Sequence, residues 1–254
     1  MAIFLRDEHS VTIDTDQRPR PVPESRWAMR MNWHDLLFMH WPVRTESLRP
    51  LIPSQLEIDT FDNEAWLGVV PFRMTGVRLR YTPTLPWLSA FPELNVRTYV
   101  RKNGKPGVWF FSLDAANPLA VRVARSAFRL PYFDARMLSI NKADEIFYES
   151  RRTHRHTPCA DFRGCYQPIG NVFQAAAGSL EEWLTERYCL YAANRRGRVF
   201  RGDIQHTRWP LQQAEIEIET NTMAEQLGFK LPQTKPLLHF AKRLDVVAWM
   251  PQPV

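Results

Sequence analysis

At 254 residues, 44% hydrophobic and 24% charged, the chain has the composition of a globular protein long enough to bury a large core, not of a disordered one. The formal net charge of +6 comes mostly from arginine, because Lys102, Lys105, Lys142, Lys230, Lys235 and Lys242 are the only lysines. That balance permits anionic partners, from nucleic acid to a small carboxylate, and leaves few side chains able to act as amine nucleophiles. No apolar run approaches the ~18 residues of a membrane span. The opening MAIFLRDEHS meets charge too early for a secretory leader. Cys159, Cys165 and Cys189 are an odd and sparse set, which fits a reducing compartment, so the expectation is a cytoplasmic protein.

In chain order, residues 1–26 read as an extended tail containing RPRPVP, and residues 27–254 as one domain. A short strand is expected from Leu36 to Val43, then a short helix around Glu46–Ile52 stopped by Pro53. Leu56–Phe61 and Ala65–Phe72, joined through Asp62-Asn63, read as a hairpin. Leu94, Val96, Thr98 and Val100 alternate with Glu93, Asn95, Arg97 and Tyr99, the period of a strand. Asn103-Gly104 then turns the chain into a return strand, Val108–Asp114. Asn117 and Pro118 open a helix to about Phe128, and Ser179 with Glu182 forms a capping box for another. Strands resume at Gly197–Thr207, continue through Ala214, Ile216 and Ile218, and end with Leu237–Trp249. Pro158–Gly178 carries no readable pattern. Strands outnumber helices, as in a barrel or sandwich with a few helices outside.

The hydrolase elbow, phosphate loop, dinucleotide fingerprint and H-E-x-x-H motif are all absent. His154, His156, Cys159 and Cys165 are spaced unlike any standard zinc site and are crowded by Arg151, Arg152 and Arg155, so no metal is expected. The basic stretches 151–156 and 195–201 lack any nucleic-acid-binding signature and read as solvated loops. Glu93, Asn95 and Arg97 share one strand face, which either meets solvent or points a carboxylate and a guanidinium into a barrel. Arg122, Arg125 and Arg129 share a helix face, and Pro131 then breaks the chain before Tyr132. His40 and His206 lie on strands, where a histidine is either a structural residue or a proton carrier.

The runs HWPV at His40, TFDNEAWLGVVPFRM, FPELNVRTYV, PGVWFFSLDA, LPYFDARM, SLEEWLTERYCLY and HTRWPL resemble the YqjF-like proteins over roughly residues 32–249. That family is grouped with the acetoacetate decarboxylase-like superfamily. The resemblance implies a mainly β (α+β) fold, an antiparallel β-barrel with a central pocket and a few flanking helices. It also implies a departure. The lysine pair with which the decarboxylase forms a Schiff base falls here on Tyr132 and Phe133, and neither can form an iminium. The resulting expectation is a pocket for a small organic acid or carbonyl compound, without a covalent amine and without a cofactor. Glu93, Tyr132 and His206 would be its catalytic candidates, and Arg97, Arg125, His40 and Asn95 its ligand-binding ones. A non-catalytic binding module is the alternative and a nucleic-acid binder a lesser one. Neither nucleic acid nor membrane is expected as a partner, and a homo-oligomer is compatible with the sequence.

Overall fold

The computed structural model describes residues 15, 18–85, 87–194, 196–228 and 230–254. Its strands are β1 (Met29–Val43), β2 (Glu57–Ile58), β3 (Ala65–Leu79), β4 (Phe91–Lys102), β5 (Lys105–Ala115), β6 (Tyr132–Lys142), β7 (Glu145–Arg152), β8 (Asp161–Phe173), β9 (Cys189–Ala193), β10 (Val199–His206), β11 (Leu211–Asn221), β12 (Leu237–Ala248) and β13 (Gln252–Pro253). Three short helices join them: α1 (Thr45–Leu48), α2 (Pro118–Val123) and α3 (Leu180–Thr185). The fold is mainly β, in one 13-stranded sheet.

The pairings return on themselves twice. One circuit runs β4-β5-β6-β7-β8-β11-β12-β1-β3 and back to β4. The other runs β4-β5-β9-β10-β12-β1-β3 and back to β4. Strands β1, β3, β4, β5 and β12 therefore form a wall common to both rings, and each has a face inside each ring. Alternate residues of the same strands accordingly enter different cores. Leu37 and Met39, Leu67 and Val69, and Leu94, Val96 and Val100 pack with Tyr148, Phe162, Tyr166 and Phe240 in the first ring. Phe38, Val70, Phe72, Met74 and Phe91 pack with Trp209, Leu244 and Val246 in the second. Both β–β pairings made by β5 outside the β4 hairpin, with β6 and with β9, are parallel. The sheet is thus antiparallel with two parallel exceptions, and the first of these is permitted by the α2 crossover.

Local signals act as the sequence implies. Asn103 and Gly104 both take positive φ, 50° and 67°, in the turn between β4 and β5. The Asn117 side chain accepts from the N–H groups of Leu119 and Ala120, capping α2. Ser179 accepts from Glu182 N at the start of α3, but the Glu182 carboxylate reaches back to Gly178 N and so closes the box one residue early. Asp62 and Asn63 do make a turn, at φ 49° and 66°, closing a bridge between Phe61 and Glu64. The strand before it, however, pairs with β4 and not with β3. Arg18, within the segment read as a tail, is buried and donates to Asp203, Gln205 and Ile204 O. Residues 1–14 lie outside the described residues.

The β5–β9 pairing depends on Gly107. A Cβ there would stand 2.7 Å from Cys189 Sγ and 2.8 Å from Cys189 O, closer than atoms pack. Because one of those neighbours is backbone, Gly107→Ala should force the strands apart. The expected cost is about 1–3 kcal/mol, the range for overpacking, read as a lowered denaturation midpoint. An unchanged midpoint would show that β9 yields freely.

Candidate functional site

The two rings have different interiors. The first holds a buried apolar cluster, with Trp109 and Phe111 packed against it. The second encloses a cavity of about 440 Å³. Four charged or polar residues from the sequence reading line it together, from strands on either side of β5: Glu93, Asn95 and Arg97 from β4, and Tyr132 from the start of β6. His206, at the end of β10, lines it as well. The odd-numbered face of β4 is therefore turned inward. Glu93, Asn95 and Arg97 retain only 3%, 5% and 8% of their surface.

Tyr132 reaches the cavity because of how α2 ends. The helix passes into a wider π-type turn, Ala124–Phe128, and stops on Arg129 in the left-handed conformation at φ 57°. Pro131 follows, Leu113 N bonds Pro131 O, and Tyr132 pairs in parallel with Leu113. From there its hydroxyl donates to Glu93 Oε2 at 2.9 Å. Burial pushes the Glu93 carboxyl up to about 8, outweighing the Tyr132 bond, and the charge of Asp114 raises it further. Near neutral pH this carboxyl holds its proton and can donate a hydrogen bond. Burial and the neighbouring Glu93 raise the Tyr132 phenol well above its ordinary value, so Tyr132 is a donor and not a base. Tyr148 fixes the strand behind them, its hydroxyl 2.7 Å from Glu93 O.

Arg97 sits two inward positions further along β4. Its guanidinium lies over the Phe38 ring at 5.0 Å, and its one hydrogen bond, to Tyr99 Oη, is long at 3.4 Å. Nε has no partner, and among the described residues no carboxylate lies within ion-pair distance. The nearby Asn95 Oδ1 is also buried without a donor. Gly68 makes room for this arrangement, since a Cβ there would stand 3.1 Å from the His40 ring and 3.3 Å from Arg97 Cγ.

Two candidates stand apart from the cavity. His40 is wholly buried behind Arg97, with Nε2 2.6 Å from Tyr99 Oη. Tyr99 spends its only proton on Leu184 O, so His40 Nε2 must be the donor in that pair and Nδ1 is left without a partner. Burial first, then Arg97 and His239, lower its pKa well below the ordinary value, and it stays neutral. His40 therefore lies behind the residues that line the cavity. Arg125 is on the outer surface, where it donates to Tyr132 O and lies over the Phe133 ring. The helical spacing it shares with Arg122 turns both to the exterior, and Arg122 forms a two-pronged pair with Asp134 there. His206 does line the cavity, yet Nδ1 lies 2.7 Å from Thr207 O and Nε2 3.3 Å from Arg187 O. Its ring stacks on Tyr188, and burial lowers its pKa.

None of the six lysines lines the cavity. Phe133 points the other way, against Arg152 and His154. His154 is engaged by Asp134, and among the described residues no group of three or more His, Cys, Asp or Glu is arranged to hold a metal. No helix among them is long and apolar enough to cross a membrane. The sequence reading missed most of the cavity wall. Trp33, Met74, Phe128 and Trp209 line it without having been singled out, because nothing local distinguishes an apolar residue facing a void from one facing another side chain.

Residues 30–245 match the DUF2071 family, described as uncharacterised conserved proteins. The chain belongs to that family. It is 48% identical over 233 residues to the uncharacterised protein YqjF of Bacillus subtilis (strain 168), a match covering 92% of this chain and 95% of the relative. Among solved structures it is similar to acetoacetate decarboxylase from Legionella pneumophila, with a TM-score of 0.62 and 12% identity over 94% of this chain and 93% of that one. It is also similar to the enduracididine biosynthesis enzyme MppR complexed with pyruvate, with a TM-score of 0.60 and 8% identity over 100% and 98% of the two chains. At those identities the DUF2071 chain shares a fold with these enzymes, and the likeness carries no residue roles by itself.

Proposed function

We propose that this DUF2071 protein binds, and acts on, a small organic acid or carbonyl compound in the second ring without forming a Schiff base. The observation that carries the reading is Arg97, a buried cation that faces an apolar cavity and lacks a carboxylate. Removing a guanidinium from water is costly, and stacking on Phe38 repays only part of that cost. A ligand carboxylate would complete the pairing with charge-assisted bonds to the free donors. Further along β4 the protonated Glu93, held by Tyr132, would donate to a carbonyl or hydroxyl oxygen and could deliver or take back a proton there. The pyruvate complex of a protein with this fold agrees with an acid as ligand.

Thermal shift with a panel of oxo and hydroxy acids tests this. An acid at a hundred times its Kd should stabilise the protein by about 2.7 kcal/mol. For a chain of this length that is roughly 5–10 °C in Tm. Arg97→Met should abolish the shift while leaving the ligand-free Tm unchanged or higher, since it removes an unpaired buried charge. Arg78→Gln, at the edge of the cavity, should keep it. The reading fails if no acid shifts the wild type, or if Arg97→Met responds in full. Turnover of any acid that binds separates an enzyme from a non-catalytic binding module.

A further inference from the structure

The buried charged groups concentrate at one end of the cavity, whereas the other end is mostly apolar, with only Arg78, Thr82 and Ser89 as polar neighbours. Along β4 the inward order is Arg97, Asn95, Glu93 and then Phe91, and register places Gly68, Val70, Phe72 and Met74 of β3 opposite them in turn. Beyond Phe91 and Met74 the wall continues as Val77, Leu79, Leu85 and Leu88, closed from the α2 side by Leu119, Val123 and Phe128. From Arg97 to Phe91 the strand rises about 20 Å. A two- to four-carbon acid seated on Arg97 would leave most of the 440 Å³ empty against Met, Leu and Phe side chains, where water finds few partners. That volume lies in the range of drug-sized ligands.

The apolar end also opens to solvent through an apolar rim. Leu79, Leu85, Leu119 and Val123 line the cavity and are at the same time 45%, 42%, 49% and 43% exposed. Trp87, in the same loop between β3 and β4, is 72% exposed. The rim is held together by Asn117, which caps α2 and also donates to Trp87 O and Leu88 O. Exposed apolar side chains are costly in water unless something apolar passes over or lodges among them.

We infer that the ligand is an amphipathic acid, with its carboxylate on Arg97 and an apolar tail of roughly six to ten carbons filling the cavity toward the β3–β4 loop. This rests on the assignment of Arg97 to a carboxylate. The tail accounts for the apolar lining that follows Glu93 and Asn95, which a compact polar acid does not need.

Calorimetric titration of the full chain with butanoate, hexanoate, octanoate and decanoate, kept below micelle formation, tests the inference, with octan-1-ol as a tail lacking the carboxylate. Affinity should rise about fourfold per added methylene, roughly 200-fold from butanoate to octanoate. Ala120→Phe, which narrows the apolar end and leaves β4 untouched, should erase most of that gain while butanoate binds as before and Tm confirms folding. If butanoate binds as tightly as octanoate, the tail is refuted and the acid reading stands. If octan-1-ol matches octanoate, the carboxylate assignment falls and the amphipathic acid with it. Binding of none of the four acids would sink both.

Discussion

Glu93→Gln is expected to make the protein more stable than wild type at alkaline pH, with the advantage vanishing toward pH 4.5. In the unfolded chain this carboxyl titrates near the ordinary 4.5, whereas in the fold burial raises it to about 8. A raised folded pKa means that the native state holds the proton more tightly. The contribution of Glu93 is therefore fully present below pH 4.5, declines as the pH rises, and is lost once the pH passes about 8. The span corresponds to a loss on the order of 5 kcal/mol between the two limits. Glutamine keeps the size and an oxygen for the Tyr132 bond but cannot ionise, so its pH–stability curve should lack that decline. The same step should govern ligand binding. Below about pH 8 the polar end carries the positive charge of Arg97 against a neutral carboxyl, whereas above it the Glu93 carboxylate adds to the field of the nearby Asp114. Acid affinity should then fall above pH 8 in wild type and stay level in Glu93→Gln. Urea denaturation across pH 5–9 reads the first effect and titration of octanoate the second. Parallel stability curves for the two proteins would mean that Glu93 titrates normally.

Arg152→Met should cost about 3–5 kcal/mol, the penalty for stranding one member of a buried ion pair. Arg152 Nη2 and Nε hold the two oxygens of Asp114 at 2.6 and 2.9 Å, with the side chains 1% and 0% exposed. Nη1 bonds Gln226, and the guanidinium lies 4.2 Å from the Phe133 ring. The pair spans β6, joining the end of β7 to β5 at the register where Asp114 faces Phe133. Losing the cation leaves Asp114 buried and unpaired beside the strand that carries Tyr132. In calorimetry the loss should appear as a fall in Tm of roughly 6–20 °C for a chain of this size. The double variant Arg152→Met with Asp114→Leu should recover most of it, because two apolar groups leave no charge uncompensated. A single variant as stable as wild type would show that Asp114 takes up a proton or reaches water when its partner is gone.

How legible each part was in the sequence follows from how local its cause is. The β4–β5 hairpin was readable because Asn103-Gly104 tolerates the positive φ that its turn needs. The equivalent turn between β6 and β7 takes positive φ at Ala143 and Asp144, without glycine or asparagine, and therefore gives no signal. Both strands also present charges to solvent, among them Arg136, Lys142, Glu149 and Arg151, which hides their alternation. Strand β8 fell in the stretch that carried no pattern, since much of its second half is exposed. In β1 the turn-like Asp35, at φ 50°, interrupts the period and conceals the strand before Leu36.

For the site, residue type and spacing drew notice to Glu93, Arg97 and Tyr132 but left solvent or core packing as open as a pocket, and the family resemblance made them site candidates. Their orientation was not local. A strand in a wall shared by two rings is buried on both faces, so its polar alternation looks the same as that of a strand with one wet face. Only closure of both rings turns Glu93 and Arg97 inward. The same holds for Arg125 and His40, whose types suited a ligand site but whose places, outside the wall and behind it, depend on packing between segments far apart in the chain. Short-range backbone preferences are written residue by residue. Which side of a sheet becomes an interior is decided by where its edges meet.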